Sequence, residues 1–385
     1  MTRDVLNSTW PQAAALWPLL PSQPQTLLLQ ACLGSTEVIG QHWRKWCQEV
    51  RDPRRAILRN KWGMKSILPL LHDSLRRGGV ILEKNMQTVL RTAFFHERLR
   101  LATIHRLCRG LLRALSANNI EAILTGELGL AETAYASPAL RHCGHIHLLI
   151  SAKQIDRAVN SICAEHWGLL ERRGQGDDAY ARLAEESGLE LQITSRVRYV
   201  PHSGDTLADL GARSEKRIIN DTAMCLPCRA DLLLMAMDYA LIHGSWQQIE
   251  WVCDSHMLVK HFDDEDWASL LEIVVRNHLT WPTLAVLNYL KESFDCHIPA
   301  AVMDGLGRAS AENQKVCQDV AKFCARSAVR SDLAEAWRHA PGIQQRIWVL
   351  VEAVRMLKKY RGKFLQRKKH HTVELLTCTK KVPNL

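Results

Sequence analysis

The segment at residues 123–150 constrains the fold of this chain more than any other part of its sequence. It reads ILTGELGLAETAYASPALRHCGHIHLLI, in which a short apolar run meets a glycine, a helical stretch follows, and a second apolar run closes the segment. Glycine after a short apolar run marks a turn, so the pattern predicts a strand, a turn, a helix and a second strand. The rest of the chain is interpreted as a scaffold around this unit.

Two histidines stand together on the second predicted strand. Residues i and i+2 of a strand point to the same face, so the side chains of His145 and His147 project together. Ile146 and Leu148 turn to the opposite face. The two imidazoles therefore face whatever lies beside the turn at Gly126.

Three short motifs lie in this unit: Leu124-Thr125-Gly126, Ser137-Pro138-Ala139-Leu140-Arg141 and His145-Ile146-His147. They resemble, in order and position, three motifs of the nucleotidyltransferases of bacterial biosynthetic clusters, a branch of the polymerase-beta-like superfamily. That branch carries a Leu-Lys-Gly turn, an Asp-Pro-x-Leu-Arg segment and an Asp-x-Asp strand. The framework is kept here, and the charged residues are replaced.

The resemblance implies roles for residues on both sides of the glycine turn. The family uses a nucleoside triphosphate with magnesium, and the motif positions of Thr125, Gly126 and Arg141 imply contact with the nucleotide. The paired aspartates of the superfamily hold the metal ions, and His145 and His147 stand in their places. This exchange of two carboxylates for imidazoles removes two negative charges from the place where the metal ions are expected.

A third carboxylate of the superfamily lies on a later strand, beside the first two. Residues 189–193 alternate apolar and polar side chains, which predicts a strand with Glu190 on its polar face. Glu190 matches the place of the third carboxylate. The catalytic and metal-binding set implied by the resemblance is therefore His145, His147 and Glu190, with Glu127 as a substitute carboxylate that no motif supports.

Three interpretations of the histidines stay open at this level, and with them the question of whether the chain is an enzyme. In the first, the site has lost metal-dependent chemistry and the fold persists as a binding or assembly component of another biosynthetic enzyme. In the second, the protein still transfers a nucleotide to an acceptor with altered metal ligands. In the third, His142, Cys143, His145 and His147 with Glu190 bind zinc, because imidazole and thiolate suit zinc whereas magnesium prefers oxygen.

The flanking sequence predicts helices on both sides of this unit. An apolar stripe with helical period runs through residues 82–118 and leads into the strand at Ile120, and beyond Pro227 the chain reads as helical nearly to its end. The expected fold class is α+β. Its expected parts are an N-terminal helical region (1–118), a small mixed-sheet nucleotidyltransferase-like core (119–225), a C-terminal helical region (226–367) and a basic tail (368–385).

Two residues of the C-terminal region, His243 and Asp254, fall on a further segment of the family. In that segment a histidine and a tryptophan precede a helix that contains an aspartate, so the resemblance implies a functional role. A histidine near a tryptophan at a helix junction is also typical of a packed residue. Both interpretations of His243 and Asp254 stay open.

Composition limits the class of protein and its partners. The 385 residues carry a formal charge of +10 and twelve scattered cysteines, and scattered cysteines in a chain of this length suit reduced thiols in the cytosol. Apolar runs fall short of the ~18 residues that span a bilayer. We expect a cytoplasmic protein whose partners are a nucleotide and a biosynthetic acceptor or partner enzyme. Nucleic acid is not expected, because no recognition motif accompanies the positive charge.

Much of the excess positive charge lies at residues 358–369, which read KKYRGKFLQRKK. This run has no sustained apolar stripe beyond Leu365, so we predict that the tail is dispensable for folding. Truncation after Gln366 is expected to leave the thermal midpoint nearly unchanged in a calorimetric scan. A large drop in the midpoint would instead mean that the tail packs onto the core.

Overall fold

The N-terminal part of the chain is a group of packed helices. The structure is a computed structural model, and it describes residues 16, 20–174, 178–200, 203–219, 221–241 and 249–320. The first helices are α1 (Gln23–Leu33), α2 (Thr36–Glu49), α3 (Pro53–Leu58) and α4 (Leu68–Arg77), with a 3-10 helix at Lys61–Ile67 before α4. The basic tail and His243 lie outside the described residues.

The long helix α5 (Lys84–Ala117) carries the chain from these helices to the sheet. Its buried residues recur every three or four positions, as an amphipathic helix requires; they include Leu101, Ile104, Cys108 and Leu111. The helix predicted at residues 82–118 is thus confirmed within the usual uncertainty of helix ends. Asn119 then adopts a φ of 52°, a left-handed conformation that asparagine tolerates.

A mixed five-stranded sheet follows, in the order β1-β2-β5-β4-β3. Strand β2 pairs with β5 in parallel, and the other neighbours are antiparallel. The elements of this part are β1 (Ala122–Thr125), α6 (Gly126–Ala134), β2 (His145–Ile150), α7 (Ile155–Cys163), β3 (Gly168–Arg173), β4 (Tyr180–Ala184) and β5 (Glu190–Thr194). Combined with the flanking helices, the mixed sheet agrees with the expected α+β class.

The two faces of the sheet are covered differently. On one face Ile146, Leu148 and Leu191 join a core with buried residues of α5 and α7. On the other face Ile123 and Leu149 pack against α8 (Leu207–Gly211). This second face carries the polar residues of β2 and β5 beyond the part that α8 covers.

Two hairpins and a set of helices complete the described chain. The hairpins are β6 (Arg196–Val200) with β7 (Ser203–Thr206), and β8 (Glu215–Ile219) with β9 (Thr222–Leu226). The helices are α9 (Arg229–Leu241), α10 (Glu250–Val259), α11 (Asp264–Arg276), α12 (Thr280–Phe294) and α13 (Ala300–Glu312). Buried residues of α9 to α13 share one core with the N-terminal helices and the end of α6. None of the helices in the described ranges is both long and apolar enough to cross a bilayer.

An ion-pair network joins the hairpins to α9. The guanidinium of Arg213 lies 2.6 Å from an oxygen of Asp205 and contacts both oxygens of Asp231, at 2.8 and 3.0 Å. Asp231 and Asp205 are 0% and 2% exposed. Burial raises the pKa of Asp231, although the neighbouring Arg213 opposes the shift. Arg276 adds a second, longer contact to Asp205 at 3.3 Å.

Replacing Arg213 tests this network. Arg213→Met leaves the buried Asp231 without its cation, so we expect the free energy of unfolding to fall by about 3–5 kcal/mol. Urea denaturation at pH 7 measures the change. The matched control is Arg217→Met, because Arg217 pairs with Glu215 on the surface at 2.9 Å and such pairs contribute about 0–1 kcal/mol. Equal effects of the two substitutions would contradict a structural role for the network.

Candidate functional site

The second face of the sheet carries a row of polar side chains that crosses all five strands. One residue of each strand contributes to this row: Thr125, His147, Gln192, Arg182 and Glu171. Each is the register partner of the next. Register partners on neighbouring strands point to the same face, about 5 Å apart. The side chains therefore form one continuous polar surface, which we call the polar row.

Glu190 lies on the same face as the two histidines, as the sequence predicts. His145 is its register partner on β2, and His147 follows two residues later. The carboxylate of Glu190 is engaged by β4, since its Oε1 lies 3.3 Å from Nη1 of Arg182, with both side chains 37% exposed. The structure thus brings Thr125, both histidines and Glu190 to one face, and it gives Glu190 a cationic partner.

The glycine turn approaches His147 closely. Gly126 has a φ of +65°, the left-handed region that glycine adopts without strain. A Cβ at this position would lie 3.1 to 3.3 Å from atoms of His147. Thr125 precedes the turn as N-cap of α6 and is only 5% exposed, but its side chain makes no capping hydrogen bond. Glycine is therefore required here both for backbone conformation and for space.

Glu127, in the first turn of α6, is the carboxylate closest to the histidines. Its Oε2 accepts a hydrogen bond from the Gly144 amide at 2.6 Å and lies 3.3 Å from Nδ1 of His145. Its Oε1 lies 3.3 Å from Nη1 of Arg141. Burial alone would raise the pKa of Glu127, but Arg141, followed by His145 and the Gly144 amide, lowers it to about 2. Glu127 is therefore ionised at neutral pH, with every charge-bearing oxygen in contact with a donor.

Arg141 links Glu127 to the C-terminal helices. Its guanidinium is buried and donates to both oxygens of Asp254 on α10, at 3.0 and 3.3 Å, and also to the carbonyl of His142. The hydroxyl of Tyr135 donates to the same Asp254 at 2.7 Å. Burial by itself lowers the pKa of Arg141, but Asp254 and Glu127 raise it well above its usual range. The nucleotide contact assigned to Arg141 stays a prediction, because the contacts described for its side chain are internal.

The two imidazoles of the site lie against each other. The ring centroids of His145 and His147 are 4.2 Å apart, with the planes tilted by 48°. Burial, followed by the charge on His145 and then on Arg141, lowers the pKa of His147 to about 3, against the opposing effect of Glu127. His147 is therefore a neutral imidazole at physiological pH.

Residues His142 and Cys143, which belong to the alternative zinc set, are engaged by α5. Nδ1 of His142 lies 2.7 Å from Oε2 of Glu97, and the amide of Cys143 donates to Oε1 of Glu97 at 3.0 Å. Cys143 is 0% exposed, and burial raises the pKa of its thiol well above the usual range. A cysteine binds zinc as the thiolate, and this burial disfavours the thiolate of Cys143.

The residues present do not fit the magnesium that the family implies. Over the described part of the chain, no group of three or more His, Cys, Asp and Glu side chains is arranged to hold a metal ion. Glu127 is already paired with Arg141, and Glu190 with Arg182. Magnesium needs oxygen ligands in near-octahedral geometry and gives up its water reluctantly. The catalytic and metal-binding roles of His145, His147 and Glu190 stay predictions.

Sequence reasoning missed several charged groups near the site, among them Glu97, Arg182 and Glu250. Glu250 on α10 is 7% exposed, and burial raises its pKa although Arg141 opposes the shift. The available signal for Glu250 was its spacing from Asp254, because two carboxylates four residues apart on a helix share one face. The carboxylates of Asp254 and Glu250 both raise the pKa of Arg141.

Comparison with known proteins gives the family of this chain. The profile of a family described as uncharacterised nucleotidyltransferase matches residues 63–295, which is more than half of the sequence. The chain belongs to this nucleotidyltransferase family. The matched range includes every residue of the site described above.

Further comparisons add little to this family assignment. No curated protein matches the chain. The crystal structure of the lincosamide antibiotic adenylyltransferase LnuA with lincomycin bound is similar over 39% of this chain and 96% of its own, at 12% identity and a TM-score of 0.30. Similarity at that TM-score does not establish a shared fold.

The neutral state of His147 predicts a pH dependence of stability. Its pKa is about 3 in the folded chain and about 6.5 when unfolded, so between these values the unfolded state binds one more proton. The contribution of neutral His147 to the free energy of unfolding is therefore fully present above pH 6.5. It falls as the pH decreases, by at most about 1.4 kcal/mol per pH unit. Burial also lowers the pKa of His256, to about 4, so His256 adds to the same slope. The contribution of His147 is therefore measured as the difference between the native chain and a His147 variant in urea denaturation between pH 7 and 5.

His147→Gln is expected to flatten this slope, because glutamine does not titrate. His297→Gln is the control, since His297 is exposed, and it is expected to leave the slope unchanged. An identical slope for the His147 variant and the native chain would show that His147 is solvated and titrates normally.

Proposed function

We propose that this chain is a nucleotidyltransferase-like protein of a bacterial biosynthetic pathway, located in the cytoplasm, whose metal site is degenerate. Membership of the family supports nucleotidyl transfer from a nucleoside triphosphate to an acceptor as the activity that the fold serves. Because one fold serves many functions, the activity that this chain keeps must be argued from the residues of its site.

The observation that carries the proposal is the compensation of Glu127 by groups of the protein itself. Nucleotidyl transfer depends on neutralising the triphosphate, usually with metal ions held by carboxylates. Here the carboxylate nearest the histidines contacts Arg141, His145 and the Gly144 amide. A magnesium ion at Glu127 would have to displace a buried cation from its partner, which is unfavourable.

A second function, as a non-catalytic binding or assembly partner of another biosynthetic enzyme, is favoured by the state of His147. A general acid or base works best when its pKa lies near the operating pH. With a pKa of about 3, His147 is far from that range at neutral pH. It is also uncharged, so it neither attracts a hard cation nor neutralises a phosphate.

The proposal predicts weak binding of magnesium nucleotide and a way to restore it. The native chain is expected to bind magnesium-ATP weakly or not at all in a calorimetric titration. The triple variant Thr125→Lys, His145→Asp, His147→Asp supplies oxygen ligands and a cation for the phosphates. It is expected to bind a nucleoside triphosphate measurably in the presence of magnesium, and much more weakly with EDTA.

A matched control makes the same charge changes on the surface. Thr88, His261 and His297 are exposed, so the triple variant Thr88→Lys, His261→Asp, His297→Asp is expected to bind no better than the native chain. Tight magnesium-ATP binding or turnover by the native chain, lost in His147→Ala, would contradict the degenerate site and support an active transferase with unusual ligands. Stoichiometric zinc binding lost in the same variant would favour the zinc interpretation.

A further inference from the structure

The solvent-facing side of α5 carries arginines on either side of two apolar residues. Its exposed residues include Arg91, Phe95, Arg98, Leu99, Ala102, Arg106 and Arg113. At 3.6 residues per turn, these positions fall within about 100° of the helix circumference. They lie opposite the buried residues of the same helix. We call this surface the basic stripe.

The basic stripe has one sign of charge. Helix α5 contains seven arginine and lysine residues but a single acidic residue, Glu97. Glu97 is only 4% exposed and its oxygens face His142 and the Cys143 amide, so it does not neutralise the stripe. Hydrogen bonds from Ser187 lower the pKa of Glu185, on the turn after β4, and Arg106 adds a smaller effect, so this carboxylate lies near the Arg106 part of the stripe. Within the described part of the chain, Arg91, Arg98 and Arg113 of the stripe have no carboxylate within ion-pair distance, whereas Arg100, outside the stripe, lies 3.8 Å from Glu97.

Phe95 and Leu99 form an apolar pair in the middle of this surface. They are 46% and 70% exposed, and their spacing of four residues makes them neighbours on the helix. The guanidinium of Arg91 lies 5.7 Å from the centre of the Phe95 ring. Single exposed apolar residues are ordinary, but an adjacent pair bordered by charged side chains is the arrangement of an interface centre with a polar rim.

We propose that the basic stripe is a docking surface for an acidic amphipathic helix of a partner protein. Carboxylates of such a helix would pair with Arg98 and Arg106, and its apolar residues would cover Phe95 and Leu99. The distance along the axis from Arg91 to Arg113 is about 33 Å, enough for a helix of about 20 residues. The surface lies on the side of α5 that faces away from Glu97.

Other occupants fit this surface less well. Nucleic acid phosphates would satisfy the arginines but would leave the apolar pair uncovered. A second copy of the chain would bring arginines of one stripe against those of the other. A membrane surface would require a broader apolar band than two side chains provide.

A labelled synthetic peptide of 21 residues tests the proposal with the full-length chain. It carries leucines at helical spacing on one face and glutamates on the remaining faces. A second peptide has the same composition in an order that gives no apolar face. Fluorescence anisotropy is expected to give an affinity at least tenfold higher for the ordered peptide, because only it matches both the charge and the apolar pair.

Variants of the stripe then locate the binding site. The charge reversal Arg98→Glu, Arg106→Glu and the substitution Phe95→Ser, Leu99→Ser are each expected to weaken binding of the ordered peptide at least tenfold. The control reversal Arg54→Glu, Arg59→Glu changes the net charge equally at exposed residues of another part of the surface. It is expected to change the affinity less than twofold. Thermal midpoints verify that each variant is folded.

Several results would overturn the proposal. Equal affinity for the two peptides, or equal weakening by the stripe and control reversals, would show that net charge alone accounts for the peptide binding. Binding of an RNA duplex or of phosphatidylserine vesicles through Arg98 and Arg106, without discrimination between the peptides, would assign the surface to nucleic acid or to lipid instead.

Discussion

The buried guanidinium of Arg141 holds together parts of the chain that are far apart in sequence. It contacts Glu127 at the start of α6, the carbonyl of His142 before β2, and Asp254 on α10. A buried charge is tolerated only when its partners are well placed, and a bidentate pair of arginine and carboxylate meets this requirement. The hydroxyl of Tyr135 occupies a further acceptor site of Asp254. The position of α10 against the sheet therefore depends on charge as well as on apolar packing.

In this chain the glycine turn and the paired strands of the site are present, while histidines occupy the positions at which the family resemblance implies two aspartates. Gly126 adopts a left-handed turn, and β2 pairs in parallel with β5. The carboxylates at the same place contact cations of the protein, Arg141 for Glu127 and Arg182 for Glu190. Arg141 is shared between Glu127 and Asp254, so these carboxylates are paired although the site is not neutral.

The sequence predicted the parts of the fold that depend on local periodicity. Helix α5 follows from its apolar stripe, and the shared face of His145, His147 and Glu190 follows from the alternation of strands. The acidic start of α11 was also predictable, since Asp263 caps the helix by accepting from the Asp266 amide.

Contacts between distant segments were beyond prediction from one sequence. The pairing of Arg141 with Asp254 joins residues 113 positions apart, and no local pattern encodes such an approach. The hairpin of β6 and β7 was also missed, because strand β7 reads SGDT and lacks alternating apolar residues. Glu127 was named only as a substitute carboxylate for the same reason: its importance depends on three partners that the tertiary structure supplies, Arg141, His145 and the Gly144 amide.

Helix α5 has a mechanical consequence for the site. Glu97, Arg98 and Leu99 belong to a single turn, with Glu97 facing inward to hold His142 and the Cys143 amide. An α-helix turns and shifts as a rigid rod over this distance, so a rotation that moves Leu99 outside also moves the Glu97 carboxylate inside. His142 and Cys143 lead through Gly144 directly into His145. A partner that turned α5 on binding Phe95 and Leu99 would therefore also displace the Glu97 carboxylate that holds His142 and the Cys143 amide.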